Sequence, residues 1–435
     1  MANDQRISET GDVRAPRSIA VVGSGISGLL AAWVLSSTDR VTLFEADDRL
    51  GGHAHSHELA EGTVVDSGFI VYNERTYPTL IRLFEQLEVP TKPSDMSMSV
   101  KCAGCGLEYA GAKGFGGLFP EWRSFRNPRY LRMLAEVLRF HRKARALLAS
   151  EGDELTLGAF LEAENFSQYF QSHFMTPVVS AVWSCDASTA LAYPARYLFT
   201  FMAHHGMLAV KGSPKWRTVD GGSQEYVRRV AKSITRIKLG AKVTSVEELR
   251  SGVRLGWTED GVAETADFAA VVLATHPGQA AEILGRSATP AQRRVLGAIP
   301  YSSNETLLHT DESVLPEGER ARASWNYYLP DCLARPENVL VSYDLSRLQS
   351  LDYPRGRLLV SLGEADRIAD PTVLARMQYG HPQYSPVSLA AQAELEQICT
   401  GRVVFAGAYH GWGFHEDGAL SGYRAAQRLG GSWPA

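Results

Sequence analysis

A glycine-rich segment near the N-terminus, residues 18–53, constrains the fold of this chain more than any other stretch. It begins with the apolar run Ser18–Val22, which is typical of a buried parallel strand. Three glycines follow in the pattern G-x-G-x-x-G, and an apolar helical pattern comes directly after them. Gly23 permits a tight turn, Gly25 lets the backbone approach a pyrophosphate, and Gly28 lets the helix pack closely on the sheet. The segment therefore predicts a strand, a phosphate-binding turn and a helix.

The residues around this turn indicate the class of ligand. Amide groups and the dipole at a helix start attract phosphate. Glu45 ends the next predicted strand about 20 residues on, where a carboxylate accepts a hydrogen bond from a ribose hydroxyl and would repel the 2′-phosphate of NADP. The alternative is a glycine turn with a structural role only. We predict a dinucleotide site, to which this segment contributes Gly23, Gly25, Ser27, Gly28, Glu45 and Ala46.

Length and composition limit the classes of protein to consider. A chain of 435 residues has room for two or three domains, and 45% hydrophobic with 21% charged residues is ordinary for globular proteins. The net charge of −4 argues against nucleic acid as a partner. Residues 1–17 lack the apolar stretch of a signal peptide, so we expect a disordered tail. No run approaches the roughly 18 apolar residues of a membrane span, and an odd number of cysteines suits a reducing compartment. We expect a cytoplasmic protein, with peripheral contact at the inner membrane surface as an addition.

Cys102 and Cys105 form a C-x-x-C motif. We expect a hairpin turn with two free thiols, and no metal site, because no further pair of ligands lies nearby in the sequence. The alternatives are a redox pair and a metal site.

A strongly basic segment spans residues 120–150. Its apolar residues, such as Leu131, Leu134 and Leu138, fall on one helical face. Either the helix packs on the core with a solvated basic face, or it docks on an anionic membrane or an acidic partner. Its basic residues are Arg123, Arg126, Arg129, Arg132, Arg139, Arg142, Lys143 and Arg145.

Two further apolar helices, residues 166–181 and 194–205, are candidates for the wall of an apolar substrate cavity, and the alternative for each single aromatic residue is packing in the core. His204 and His205 end the second helix, where a histidine more often balances the helix dipole than shuttles protons. Near the C-terminus, residues 402–409 read as a strand and turn. Gly418 and Ala419 are then predicted to begin a helix whose amides face an anion.

Several motifs in order carry a resemblance to a known family. Arg49-Leu50-Gly51-Gly52-His53, Gly221-Gly222-Ser223 and the C-terminal strand–turn–helix resemble FAD-dependent oxidoreductases of the amine oxidase superfamily. Residues 73–77, 325–327 and 413–418 are similar to a subgroup encoded beside, or fused to, cyclopropane fatty acid synthases. The resemblance covers residues 18–429 and implies FAD as the cofactor. It implies an α/β fold with a Rossmann-like FAD-binding domain and an interleaved α+β substrate domain. It further implies cofactor contacts at Arg49, Gly51, Gly52, His53, Gly68, Phe69, Val243, Ala274, Gly407, Ala408, Gly418 and Ala419.

The resemblance also suggests how the chain is divided. We expect residues 18–75, 216–299 and 396–435 to form the FAD-binding domain. Residues 76–215 and 300–395 would form the substrate domain.

The expected function is oxidation of an apolar substrate, with a lipid acyl chain favoured through the association with acyl-chain methyltransferases. The alternatives are an amine oxidase and a catalytically silent flavin-binding partner of a lipid methyltransferase. The family builds the wall opposite the flavin just before the C-terminal helix, which implies Tyr409 and Trp412 as apolar walls, His415 as acid/base, and Glu416 as its support. The alternative is that His415 and Glu416 only support the start of that helix. Two features depart from the common pattern: Ala408 replaces an acid, and residues 301–310 contain no lysine.

Overall fold

The computed structural model describes residues 15–152, 155–209 and 212–434. Its strands are β1 (Ser18–Val22), β2 (Arg40–Phe44), β3 (Ser56–Glu58), β4 (Val64–Asp66), β5 (Tyr72–Asn73), β6 (Thr91–Pro93), β7 (Met98–Cys102), β8 (Leu107–Gly111), β9 (Trp216–Val219), β10 (Arg236–Lys238), β11 (Lys242–Glu248), β12 (Val253–Glu259), β13 (Val262–Phe268), β14 (Ala270–Leu273), β15 (Tyr301–His309), β16 (Trp325–Leu329), β17 (Val341–Asp344), β18 (Leu359–Leu362), β19 (Val373–Pro382) and β20 (Val403–Phe405). Its helices are α1 (Ile26–Leu35), α2 (Pro78–Gln86), α3 (Gly114–Leu118), α4 (Pro128–Ala149), α5 (Leu157–Ala163), α6 (Gln168–Phe170), α7 (Thr176–Trp183), α8 (Ala187–Ala192), α9 (Ala195–His204), α10 (Gln224–Ala231), α11 (Pro277–Leu284), α12 (Pro290–Gly297), α13 (Leu345–Leu348), α14 (Pro386–Gln392) and α15 (His415–Arg428).

A parallel sheet of five strands, in the order β10–β2–β1–β14–β20, carries the glycine-rich turn. The central strand β1 is buried along almost its whole length, as its apolar run predicts. Helix α1 is buried throughout because α15 packs on it. A Cβ on Gly422 of α15 would lie 2.1 Å from the carbonyl oxygen of Ser27, so only glycine allows this close helix contact.

A second, larger sheet has seven strands in the order β19–β15–β18–β17–β16–β7–β8. All its neighbours run antiparallel except β16 and β7. Helices α4 to α9 pack beside it around an aromatic-rich core that includes Phe140, Phe160 and Phe199. Its strands come from residues 98–111 and 301–382, whereas those of the parallel sheet come from residues 18–44, 236–273 and 403–405.

A buried carboxylate holds the turn between β9 and α10 in place. Asp66, at the end of β4, accepts hydrogen bonds from the amide and the hydroxyl of Ser223 and from the hydroxyl of Ser56. Burial raises the pKa of Asp66 to about 6, while these hydrogen bonds oppose the shift. The Gly221-Gly222-Ser223 turn before α10 is therefore held against β4.

The structure refines two segments of the sequence prediction. Within the basic segment of residues 120–150, helix α4 begins at Pro128, because the side chain of Asn127 caps it by accepting from the amides of Arg129 and Tyr130. Residues 1–14 of the predicted tail lie outside the described ranges, but Arg17 forms an ion pair of 2.8 Å with Asp39. Among the described helices, none combines the length and the apolar character needed to cross a bilayer.

Candidate active site

One large cavity, of about 1240 Å³, is lined by residues from both main sheets. Ordinary single-ligand pockets occupy about 300–1,000 Å³, so this cavity has room for a large cofactor and a substrate together. The strand ends of β1, β2, β14 and β20 line one end of the cavity. Residues of β7, α4, α7 and β19 line the rest.

The glycine turn after β1 lines the end of the cavity at which the parallel strands terminate. Gly23 has a φ of +95°, and a Cβ there would lie 2.7 Å from the carbonyl oxygen of Ala274, so both its conformation and its neighbour require glycine. A Cβ on Gly25 would meet no atom within 4 Å. Because Gly25 lines the cavity, the space beside it is available to a ligand that approaches the backbone.

Glu45 lies beside this turn and lines the cavity. Its carboxylate accepts hydrogen bonds from the amide of Ser24 at 2.8 Å, from the Ser24 hydroxyl at 2.6 Å and from the amide of Asp47 at 2.9 Å. The amide of Gly51 donates to the carbonyl oxygen of Ser24 at 3.1 Å. This hydrogen bond joins the Gly51-Gly52 pair to the glycine turn after β1. The two glycine motifs therefore form one structural unit around the carboxylate.

Two side-chain nitrogens of this unit suit an anionic ligand. Nη1 of Arg49 and Nε2 of His53 are buried without a hydrogen-bond partner among the described residues. A buried donor without a partner costs free energy, and a pyrophosphate would supply acceptors. Of these two residues, His53 lines the cavity; its unpartnered nitrogen and the open space at Gly25 fit a dinucleotide such as FAD.

Most of the predicted cofactor residues line this cavity. They are Gly23, Gly25, Ser27, Glu45, Ala46, Gly52, His53, Gly68, Phe69, Val243, Ala274, Gly407 and Ala408. Five others do not line it: Gly28, Arg49, Gly51, Gly418 and Ala419. Gly28 instead packs against the carbonyl of Gly23, the packing role that the motif predicts.

The helix α15 corrects the expectation for Gly418 and Ala419. It begins at His415, three residues before Gly418, because Asp417 accepts a hydrogen bond from the amide of Phe414 and caps the first turn. Gly418 thus lies inside the helix, where a Cβ would meet Ile26 at 2.8 Å. Gly413, Phe414 and His415 line the cavity instead.

His415 is the one predicted catalytic residue that lines the cavity. Its ring stacks on Phe69 with 3.7 Å between ring centroids and an angle of 6° between planes. Its Nε2 lies 2.7 Å from the hydroxyl oxygen of Tyr226. Burial lowers the pKa of His415 to about 3, so the imidazole is neutral near pH 7. The acid/base role of His415 stays a prediction.

The other three predicted catalytic residues lie outside the cavity lining. Tyr409 is fully buried, with its ring packed against Gly407. Trp412 packs among Tyr197, Phe201 and His204. Neither residue therefore forms the expected wall: Tyr409 lies in the core, and Trp412 packs behind residues such as Phe201 that do line the cavity.

Glu416 serves a neighbouring helix rather than the cavity. Its carboxylate accepts from the amides of Thr79 at 2.9 Å and Leu80 at 3.0 Å, in the first turn of α2. Carboxylates at helix starts satisfy free amides and complement the helix dipole. Glu416 is therefore a capping residue, which corrects its expected catalytic support.

Strand β19 brings in residues that the sequence analysis missed. The hydroxyl of Tyr379 lies 2.9 Å from Nδ1 of His55 and 2.7 Å from Oγ of Ser67. Nδ1 of His381 lies 2.9 Å from Nδ2 of Asn304. Asn304 lies on β15, within the segment 301–310 that contains no lysine. Burial, with a smaller contribution from His276, lowers the pKa of His381 to about 4. No local sequence pattern indicates that residues of β19 belong to the site. Its pairing with β15, which is distant in the sequence, places them at the cavity.

Away from the glycine turns, the cavity extends as an apolar arm. The arm runs between β7, α4 and α7. The charged residues of the cavity lining, Glu45, Lys242 and Glu282, lie at the nucleotide end of the cavity and not in the arm. Within the described ranges, no acidic or basic side chain other than histidine lines the arm. Its apolar residues include Met96, Met98, Leu118, Met133, Leu134, Val137, Leu138, Phe174 and Val182.

Comparison with known proteins agrees with this architecture. A segment of polyamine oxidase 5 from Oryza sativa is 42% identical over 78 residues, which are 17% of this chain and 16% of that protein. A segment of the L-amino-acid oxidase of Bungarus fasciatus is 44% identical over 62 residues, 14% of this chain and 12% of that one. The chain thus matches well under two thirds of the length of these relatives.

Solved structures match over nearly the whole chain. Cyclohexylamine oxidase from Brevibacterium oxydans matches with a TM-score of 0.67 and 18% identity, covering 95% of this chain and 98% of that one. A fatty acid isomerase from P. acnes that produces CLA matches with a TM-score of 0.68 and 15% identity, covering 96% and 99%. At these identities the likeness shows the fold: a Rossmann-like FAD-binding domain with a substrate domain. Residues 26–368, more than half of the chain, match the family model described as flavin containing amine oxidoreductase. The chain therefore belongs to the flavin-containing amine oxidoreductase family and is an FAD-dependent oxidoreductase.

Proposed function

We propose that this oxidoreductase acts on the acyl chain of a lipid, by desaturation or by moving a double bond. The observation that carries the proposal is the uncharged apolar arm of the cavity. An ammonium group would need a carboxylate or a similar partner to offset its desolvation, and the arm offers none among the described residues. A hydrocarbon chain gains about 0.8 kcal/mol for each CH₂ group that it buries there.

When bound, FAD accepts or returns a hydride at its N5 atom. The chain's own residues orient the substrate and exclude water. Apolar side chains of α4 and α7 would hold the acyl chain in one direction, while the neutral His381 and His415 would present hydrogen-bonding groups without a net charge. The solved fatty acid isomerase shares the fold, which supports a lipid substrate as one use of this architecture.

Substrate entry is proposed to occur from an anionic membrane surface. Leu138 lines the cavity and is also 59% exposed, so it marks an opening. We use the name entrance surface for the exposed apolar residues Phe115, Trp122, Leu131 and Leu138. Leu131 and Leu138 lie on α4, and Phe115 and Trp122 both pack on Phe125, shortly before that helix. Trp122 is 74% exposed, and aromatic side chains of this kind suit the membrane interface.

The charges beside the entrance surface favour an anionic lipid. Arg132, Arg139 and Lys143 of α4 are paired with Glu136 or Glu164. The other arginines of the basic segment have no ion pair within the described ranges. Arg145 donates to the carbonyl oxygen of Leu208, and four arginines are left for lipid phosphates: Arg123, Arg126, Arg129 and Arg142. Contact with a methyltransferase stays a prediction.

The substrate class is tested by anaerobic flavin reduction and by product analysis. We expect lipid acyl chains to bleach the flavin or to emerge with a shifted double bond, and amines to do neither. Val137→Trp, which fills the arm, should slow the reaction at least tenfold at unchanged FAD content. Leu239→Trp, an exposed site outside the cavity, is the matched control. Amine oxidation with release of hydrogen peroxide, and no reaction with lipid, would establish an amine oxidase instead.

Membrane docking is tested by flotation with vesicles of stated composition. We expect co-flotation with vesicles that contain phosphatidylglycerol, falling steeply as salt rises, and little with phosphatidylcholine alone. Trp122→Ser and Phe115→Ser should weaken it, whereas Val262→Ser, an exposed apolar control on the β12–β13 hairpin, should not. Equal binding to both vesicle types, or none to either, would refute an anionic membrane partner.

A further inference from the structure

Four potential metal ligands from three distant parts of the chain converge outside the cofactor cavity. They are the thiols of Cys102, Cys105 and Cys332 and the imidazole of His173, and one ligand atom from each lies within 4.8 Å of all the others. The two cysteines of the C-x-x-C motif come from the β7–β8 hairpin. His173 precedes α7, and Cys332 follows β16.

Two separations between these atoms match the edges of a tetrahedral zinc site. Zinc binds sulfur at about 2.3 Å and imidazole nitrogen at about 2.0–2.1 Å, so a regular tetrahedron has edges of about 3.8 Å between sulfurs and about 3.5 Å between sulfur and nitrogen. Sγ of Cys102 lies 3.9 Å from Sγ of Cys332. Sγ of Cys105 lies 3.6 Å from Nε2 of His173. The separation of the Cys102 and Cys332 sulfurs also exceeds by far the length of a disulfide bond, about 2.05 Å.

The imidazole is held in the orientation that a metal ligand needs. Nδ1 of His173 lies 2.8 Å from the hydroxyl oxygen of Ser172 and 3.2 Å from the carbonyl oxygen of Tyr169. The Ser172 hydroxyl donates to the carbonyl oxygen of Gln168, so both neighbours of Nδ1 can accept, which favours the proton on Nδ1. Nε2 is then left with its lone pair directed at the thiols. Metal-binding histidines are commonly oriented by this kind of hydrogen bond from the other nitrogen. The residue also lies in a π-helical turn, Gln171–Met175, and such turns frequently occur at functional sites.

The hairpin and the Cys332 loop are built closely around the cluster. The amide of Gly106 donates to the carbonyl oxygen of Cys102 at 2.9 Å, and Gly106 has a φ of +69°, which closes the turn after the second cysteine. A Cβ on Gly104 would lie 2.6 Å from Oδ2 of Asp331, the residue before Cys332. Glycine at position 104 therefore lets the loop approach the turn closely enough to bring the third thiol in.

We propose that Cys102, Cys105, His173 and Cys332 bind one zinc ion. All four positions of a tetrahedral ion would be filled by protein, the arrangement of structural rather than catalytic zinc. The site would fasten a wall of the apolar arm, because the hydroxyl of Tyr109 donates to the carbonyl oxygen of His173 at 2.7 Å, and Tyr109 and Phe174 both line the cavity. This inference does not depend on the identity of the substrate.

Metal content of the purified holoprotein tests the proposal. We expect one zinc ion per chain in the wild type and in Cys399→Ser, a control at a partly buried cysteine outside the cluster. Cys332→Ser and His173→Gln should lose most of the zinc. A strong chelator should lower the melting temperature of the wild type but leave that of Cys332→Ser unchanged, with FAD content recorded in parallel.

A second measurement remains informative if the variants fail to fold. Wild-type protein, stripped of metal under reducing conditions and given cobalt(II), should show the absorption of tetrahedral thiolate-bound cobalt at wavelengths longer than those of oxidised flavin. Absence of zinc in the purified protein together with no cobalt spectrum would overturn the proposal. A disulfide that joins Cys102 to Cys332 in the freshly purified protein would overturn it equally.

Discussion

Glu45 combines two tasks in one side chain, and its replacement should expose both. It accepts three hydrogen bonds from Ser24 and Asp47 and faces the nucleotide end of the cavity. Glu45→Ala leaves these donors without their acceptor and removes the expected partner of the ribose, so FAD binding should weaken by about 1–3 kcal/mol. Fluorescence titration of the apoprotein with FAD measures this loss. Asp48→Ala, the same loss of charge at an exposed neighbour, should bind FAD normally; equal weakening in both would assign the effect to charge alone.

Glu416 should affect stability and leave the reaction intact. Removal of its carboxylate frees the amides of Thr79 and Leu80 at the start of α2, and loss of a helix cap typically costs about 0.5–2 kcal/mol. Glu416→Ala should therefore unfold more readily, while the rate of flavin reduction per bound FAD stays at the wild-type value. Glu416→Gln keeps one acceptor oxygen and should lose less stability. A rate that falls by a factor of 100 or more in Glu416→Gln would restore the catalytic assignment.

At the scale of elements, alanine substitution of two glycines, one in α15 and one at the start of α1, should affect different properties of the protein. Gly422 lets α15 contact α1, so Gly422→Ala should destabilise the fold by about 1–3 kcal/mol, even in the apoprotein. Gly25 has open space where a Cβ would stand, so Gly25→Ala should leave apoprotein stability unchanged and reduce FAD affinity. Chemical unfolding and FAD titration of both variants separate the two roles. The assignment fails if Gly25→Ala destabilises the apoprotein as much as Gly422→Ala does.

For the whole molecule, buried neutral histidines should make the fold sensitive to acid. Unfolded histidine has a pKa of about 6.5. A group whose pKa is depressed in the folded state contributes stability above the unfolded pKa, and that stability is lost as pH falls toward the folded pKa. Desolvation by burial is the main cause of lowering for each histidine. The pKa is lowered to about 3 for His55 and His415, and to about 4 for His205, His276, His309, His381 and His410.

Four carboxyls act in the opposite direction, and one of them is Glu416, whose pKa is raised by burial. Burial raises the pKa of Asp66 to about 6, and that of Asp417 and Glu364 to about 7, so these groups favour the folded state as pH falls. The histidines outnumber them, and we expect the melting temperature to fall as pH decreases from about 7 to about 5. His309→Asn, away from the cavity lining, should reduce this slope. A melting temperature that rises over the same interval would contradict the dominance of the histidines.

Local patterns in the sequence account for much of the nucleotide end of the site. The strand, turn and helix of residues 18–35, the position of Glu45 and the neighbouring glycine pair are all set by backbone rules that act within a few residues. The hairpin around the C-x-x-C motif and the helix that begins at Pro128 are local features of the same kind. The predicted start of the C-terminal helix was less accurate than these features. The helix begins at His415 instead of Gly418, because a capping side chain moves the boundary by several residues.

Long-range pairing decided the rest. Strand β7 lies beside β16, so that Ser99 bonds to Asn326 across 227 positions, and β19 brings Tyr379 and His381 to the cavity. The same pairing, with the π turn before α7, gathers His173 and Cys332 around the C-x-x-C motif, which by itself predicts no metal ligand set. Sequence alone determined the dinucleotide turn, because a few consecutive residues specify its geometry. Only the tertiary structure decided the apolar arm and the thiol–imidazole cluster, because their members are joined by packing between elements that no local pattern links.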